Sequence, residues 1–101
     1  YNSRMKVIKS SVFDKWFDKL ANISVKISIL RRLEKIEQEN HLGDYKNIEN
    51  GLYELRFFNR GGIRIFFTMK GNEIIILLCA GDKDTQDSDI RKAREILKEY
   101  K

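Results

Sequence analysis

Apolar positions recur along this chain with two different periods, and the switch between them separates a helical first part from a stranded second part. Met5 to Lys9 reads as a short edge strand. Phe13, Trp16, Phe17 and Leu20 then follow at i, i+3, i+4 and i+7, the spacing of one helix face. Ser10 and Ser11 stand ahead of them as N-cap candidates, with Asp14 placed three residues after Ser11 as in a capping box. Asn22 interrupts this helix. Ile23, Ile27, Leu30 and Leu33 renew the period to about Gln38, which assigns Arg31, Arg32, Glu34, Lys35 and Glu37 to the outer side. Two helices joined so briefly predict a helical hairpin.

Glu39 to Gly51 is polar and reads as a loop, and from Leu52 the period becomes two. Tyr53, Leu55 and Phe57 alternate with Glu54, Arg56 and Phe58, the signature of a strand with two different faces. Asn59-Arg60-Gly61-Gly62 supplies a turn tolerant of positive φ, after which Ile63, Ile65 and Phe67 alternate with Arg64, Phe66 and Thr68. Lys70-Gly71-Asn72 turns the chain again. Glu73 to Ala80 is apolar on both faces, as suits a central strand paired along both edges. Asp87 to Tyr100 closes as a charged helix with Ile90, Ala93, Ile96 or Leu97, and Tyr100 facing inward. The expected order is β-α-α-β-β-β-α, an α+β fold.

Length and composition bound this picture. At 101 residues, with 42% hydrophobic and 11% aromatic content, the chain suits one domain (1–101) with its own core, and Tyr1 to Arg4 read as a remnant ahead of Met5. The longest apolar run, Ile74 to Ala80, falls well short of a membrane span, and a single Cys79 inside it reads as a buried hydrophobe, which favours the cytoplasm. Twenty Lys and Arg against fifteen Asp and Glu leave +5, favouring an anionic partner such as nucleic acid or an acidic protein. The excess is local. Leu52 to Lys70 holds Arg56, Arg60, Arg64 and Lys70 against Glu54 alone, whereas Asp82, Asp84, Asp87 and Asp89 surround Lys83.

Strand register predicts a site. Arg56 and Arg64 leave the same face of neighbouring antiparallel strands, together with Phe58 and Phe66. Guanidinium forks donate paired, charge-assisted hydrogen bonds to phosphate, and aromatic faces stack unpaired bases. The competing reading has the arginines solvating an open sheet face and pairing with Glu54, and both Phe packed beneath the terminal helix.

At these residues the chain resembles a known family. Gly51-Leu52-Tyr53-Glu54-Leu55-Arg56, Gly62-Ile63-Arg64-Ile65-Phe66-Phe67, and Gly81-Asp82-Lys83-Asp84-Thr85-Gln86 with Asp89-Ile90 and Ala93 are similar to the RelE/ParE toxin superfamily, and within it to the HigB-like addiction module killer branch. Phe13, Trp16, Arg32-Leu33 and Gly43-Asp44-Tyr45-Lys46 extend the resemblance over nearly the whole chain. It implies a helical hairpin packed on a small twisted antiparallel sheet. It also implies a toxin of a type II toxin-antitoxin system that cleaves mRNA on the ribosome, inhibits translation and is neutralised by a cognate antitoxin of helix-turn-helix type in an oligomeric complex. Arg56, Arg64 and Lys83 match the family's catalytic basic residues; Arg60, Lys46, Phe58, Phe66 and Gln86 are the substrate-binding candidates beside them. Ile63 and Phe66 stand where the family often has Tyr, and Asn40-His41-Leu42-Gly43-Asp44 alters the usual Gly-Asn-x-Gly-Asp.

Such a nuclease needs a base for the 2′-OH, an acid for the leaving oxygen and cations around the phosphorane, with no metal or other cofactor required. Lys83 and Lys46 are candidate proton carriers. His41, the single histidine, falls in a polar loop outside the basic cluster. Asp82, Asp84, Asp87 and Asp89 lack the Gly and closing Glu of a calcium loop and read as helix caps, with Asp87 as N-cap and Asp89 facing the helix dipole. Two other functions fit the same fold: a gyrase inhibitor of the ParE kind, or a non-catalytic RNA-binding module.

Overall fold

Ser10 closes the first strand and opens the first helix at once: its hydroxyl donates to the Leu78 carbonyl at 2.6 Å and accepts from the Phe13 amide at 3.0 Å. The computed structural model describes residues 5–58 and 62–100, so Arg60 and the turn residues Asn59 and Gly61 lie outside the described residues. The elements are β1 (Lys6–Lys9), α1 (Ser11–Asp18), α2 (Ile23–Glu39), β2 (Tyr45–Glu49), β3 (Leu52–Arg56), β4 (Arg64–Lys70), β5 (Ile74–Gly81), a 3-10 turn (Lys83–Thr85) and α3 (Gln86–Leu97). The sheet runs β1-β5-β4-β3-β2. β1 is an edge strand, as expected, and lies parallel to β5; the other pairings are antiparallel.

The α1–α2 hairpin covers one sheet face, where Phe13, Val25, Ile29, Leu33 and Ile36 pack on Leu55, Ile65, Phe67, Ile75 and Leu77. On the other face, Ala93, Ile96 and Leu97 of α3 pack on Leu52, Phe66, Ile76, Leu78 and Cys79. Each fully buried aliphatic or aromatic side chain contributes about 1.5 to 3 kcal/mol. Leu78 and Cys79 reach the same face because a bulge opposite Phe66 and Phe67 adds one residue to β5.

Two expectations need correction. The segment read as a loop from Glu39 to Gly51 contains β2, joined to β3 by the two-residue connection Asn50-Gly51, with Gly51 at φ 82°. The bulge between Asn47 and Glu49 breaks the alternation that would have marked the strand, although Asn-Gly is itself a hairpin signal. The inward stripe of α2 is also different. Val25, Ile29, Leu33 and Ile36 are buried, whereas Ile23, Ile27 and Leu30 are 69%, 42% and 47% exposed. Both stripes have helical spacing; the longer one spans the helix and buries more apolar area, and it settles the rotation.

Cys79 is buried in β5, with its thiol 3.4 Å from the Asp89 carbonyl oxygen. Burial pushes the thiol up from its ordinary 9.0 to about 12. Near neutral pH the native chain should therefore carry roughly 10³-fold less thiolate than the unfolded chain. A soluble disulfide reagent should titrate this thiol only after denaturation; prompt labelling of native protein would show that β5 opens. By linkage, a folded pKa raised above the unfolded one leaves stability intact below pH 9.0 and erodes it as pH climbs toward 12.

Candidate functional site

Register brings the site together. Arg56 on β3 stands directly opposite Arg64 on β4, which stands opposite Gly81 on β5. The adjacent row reads Lys46, Glu54, Phe66 and Cys79 across β2, β3, β4 and β5. Residues directly opposite one another, and those two apart on a strand, share a face. Arg56, Arg64, Lys46 and Glu54 therefore share the face that α3 covers further along.

Glu54 is the anchor of this face. It is 1% exposed and accepts from Arg64 Nη1 at 3.5 Å and from Gln86 Nε2 at 2.8 Å. A carboxylate buried this deeply persists only when paired and hydrogen-bonded, so Glu54 fixes both partners. Arg56 is held differently: its Nη2 donates to Asp44 Oδ1 at 3.0 Å, and that bond together with the Asp44 charge raises the guanidinium pKa. In both arginines the Nε is buried without a hydrogen-bond partner, as is Asp44 Oδ2. Each guanidinium meets its carboxylate through one terminal nitrogen while the side chains stay 36% and 22% exposed, which leaves donors that an anion could reach.

Lys83 reaches the same end of the sheet. A Cβ on Gly62, φ 59°, would touch the Lys83 alkyl stem at 3.5 Å, so the stem lies along the backbone that leads into Arg64. Gly81 makes this approach possible. Any side chain there would run into the Asp89 carboxylate and the Thr85 hydroxyl, which are bonded to each other at 2.6 Å. Of the four aspartates, Asp82 serves the backbone and Asp89 the Thr85 hydroxyl, not Lys83. Asp82 accepts from the Asp84 and Thr85 amides at 2.9 and 3.2 Å and completes a capping box with Thr85. Thr85, not Asp87, occupies the N-cap of α3, because the intervening 3-10 turn starts the helix earlier; Asp87 sits within its first turn. Among the described residues, none of these carboxylates forms an ion pair with Lys83.

The other sequence candidates divide. Gln86 is present but spent on Glu54, so it supports the site. Lys46 is exposed on β2 opposite Glu54. Phe66 is fully buried, part of the core under α3, and cannot stack a base; the competing reading was right for this ring. Phe58 is 87% exposed at the end of the arginine strand. His41 is exposed in the α2–β2 loop.

Sequence reasoning missed Arg32, which it placed on the outer side of α2. Its Nε, Nη1 and Nη2 donate to the carbonyls of Leu42, Arg56 and Asp44 at 2.8, 2.9 and 2.6 Å, and the guanidinium lies 4.7 Å over the Phe57 ring. Burial lowers its pKa. This clamp joins α2 to the ends of β2 and β3 and sets where Asp44 and Arg56 meet. Gly43, φ 76°, is the one local signal: a Cβ there would sit 2.7 Å from Arg32 Nε.

Residues 15–101 match the phage-derived Gp49-like protein family (DUF891). An uncharacterized protein of Haemophilus influenzae is 38% identical over 87 residues, covering 86% of this chain and 87% of the relative. Among solved structures, a mutant of the Escherichia coli toxin RelE in the free state superposes with a TM-score of 0.69 at 10% identity, covering 92% of this chain and 98% of the other. No described helix is long and apolar enough to cross a membrane.

Proposed function

The chain belongs to the phage-derived Gp49-like family and has the RelE/ParE toxin fold, and on that premise we propose that it is a toxin of a type II toxin-antitoxin system, of the HigB-like kind, that cleaves mRNA on the ribosome. The observation that supports this most is the Arg56–Arg64–Gly81 row with the Lys83 stem beside it, three basic residues at one end of the sheet.

In this reading the 2′-oxygen attacks the adjacent phosphorus, losing its proton as it does so. The bond from phosphorus to the 5′-oxygen then breaks and that oxygen is protonated, leaving a cyclic phosphate and a 5′-hydroxyl. Negative charge on the nonbridging oxygens peaks at the phosphorane, and fixed cations already in place stabilise it without reorganising. Glu54 holds Arg64 and Asp44 holds Arg56, so the forks are preorganised. The partners are mRNA, the ribosome and a small helix-turn-helix antitoxin that holds the toxin inactive in an oligomeric complex.

Induced expression followed by mapping of transcript 5′ ends tests the proposal. New ends inside translated frames support it; growth arrest without new ends would point to gyrase inhibition or to non-catalytic RNA binding. Lys83 is assigned an electrostatic role, so Lys83→Arg should retain most single-turnover cleavage on programmed ribosomes, with an unchanged profile from about pH 6 to 9. A large loss in this variant, together with a flattened profile, would instead make Lys83 the proton carrier, because guanidinium holds its proton throughout that range.

A further inference from the structure

A cavity of 400 Å³ opens where α2 passes the end of β3, and Arg31, Lys35, Arg56 and Phe58 are among the residues that line it. It begins at Arg56, a member of the arginine row, and leads away from that row toward the helical hairpin. Arg32 and Asp44 on its wall are already engaged, Arg32 by three carbonyls and Asp44 by Arg56. Arg31 and Lys35 are different. Both are exposed, and among the described residues neither forms an ion pair, although glutamates stand nearby on the same helix. Phe58 presents a ring that is 87% exposed, with Phe57 beneath it in sequence turned into the core.

An exposed ring costs apolar hydration, and two unpaired cations on the opposite wall repel one another; together they suit a ligand that is flat and apolar at one end and anionic at the other. A nucleotide of a single-stranded RNA has that form. We propose that this cavity holds a nucleotide flanking the cleaved bond, its base stacked on Phe58 and its phosphate between Arg31 and Lys35, so that the strand runs from the arginine row round the end of the sheet to α2. The inference rests on the nuclease reading and adds to it a positioning subsite for the substrate strand.

The test is single-turnover cleavage of mRNA on programmed ribosomes, read as the protein concentration giving half-maximal rate. Phe58→Ala should raise that concentration roughly 10-fold or more, the range for loss of one base–aromatic stack. Arg31→Ala with Lys35→Ala should raise it as well and reduce the slope of log affinity against log salt by about 0.7 for the one phosphate released. The decisive arm replaces each nucleotide flanking the cut in turn by an abasic residue. At one position, removing the base should weaken the wild-type chain by the same factor as Phe58→Ala and have no further effect on Phe58→Ala itself. Additive losses at every position, or variants that match wild type, would overturn the subsite while leaving the nuclease reading intact. Wild-type protein that produces no cleavage on ribosomes and no new 5′ ends in cells would overturn both.

Discussion

Arg64→Ala should lose both activity and stability, and a second substitution should restore only the stability. Under the proposed nuclease reading, removing a preorganised cation from the phosphorane should cost roughly 10²- to 10³-fold in cleavage. The same change strips Glu54 of its charged partner while that carboxylate is 1% exposed, leaving Gln86 as its remaining side-chain donor. A buried carboxylate in that position destabilises the fold by about 2 to 3 kcal/mol. Glu54→Gln removes the uncompensated charge at nearly constant volume, so the double variant Glu54→Gln, Arg64→Ala should unfold close to the wild-type denaturant midpoint and remain inactive. Recovery of cleavage in the double variant would make Arg64 a structural partner of Glu54 and nothing more. Arg56→Ala is the control: its pair with Asp44 is more exposed, 36% and 32% for the two side chains, so it should lose comparable activity with little change in stability.

Arg32→Ala should damage the fold as much as the loss of a large core side chain. Three backbone carbonyls, of Leu42, Asp44 and Arg56, lose their shared donor at once, and Phe57 loses the cation over its ring. Hydrogen bonds from a charged donor contribute about 1.5 to 3 kcal/mol each but do not add fully, which suggests a loss of about 3 to 5 kcal/mol, or roughly 15 to 20 °C in Tm for a domain of this size. Lysine offers a point charge in place of a planar fork, so Arg32→Lys should recover less than half of the loss. Thermal melts of the three proteins decide it; a Tm for Arg32→Ala within a few degrees of wild type would mean that the helix and the strand ends are held by packing alone. Under the proposed nuclease reading, displacement of Asp44 and Arg56 should lower cleavage in parallel.

How much of this was legible in the sequence depended on whether one physical signal dominated at each place. The α3 face was legible because Ala93, Ile96 and Leu97 are its only closely spaced apolar run, and β5 because both of its faces are apolar. Shared orientation of Arg56 and Arg64 followed from the strict period of β3 and β4, and the register confirms it. α2 carries two apolar stripes, and choosing between them requires knowing what lies opposite. β2 is bulged and mostly exposed, so neither alternation nor hydrophobicity marks it. Phe66 and Phe58 occupy equivalent positions in the pattern, yet α3 ends up over one and not the other. The role of Arg32 is invisible in any local pattern, since its acceptors are backbone atoms far along the chain.

β1 pairs with β5, Lys6 with Ile74 and Lys9 with Leu77, and the Ser10 hydroxyl bonds to the Leu78 carbonyl across 68 positions of sequence. Contacts so distant along the chain impose a large loop-closure entropy before they reward it and slow folding. They also impose an order on synthesis. β1 is made before its partner and waits while the whole β2–β3–β4 meander is made, and Lys83 and Gln86 arrive only after β5. A nascent chain therefore has Arg56 and Arg64 before it has the strand, the turn or the helix that completes their surroundings. Whatever these cations do, they do it only after β5, the turn at Lys83 and α3 have been made.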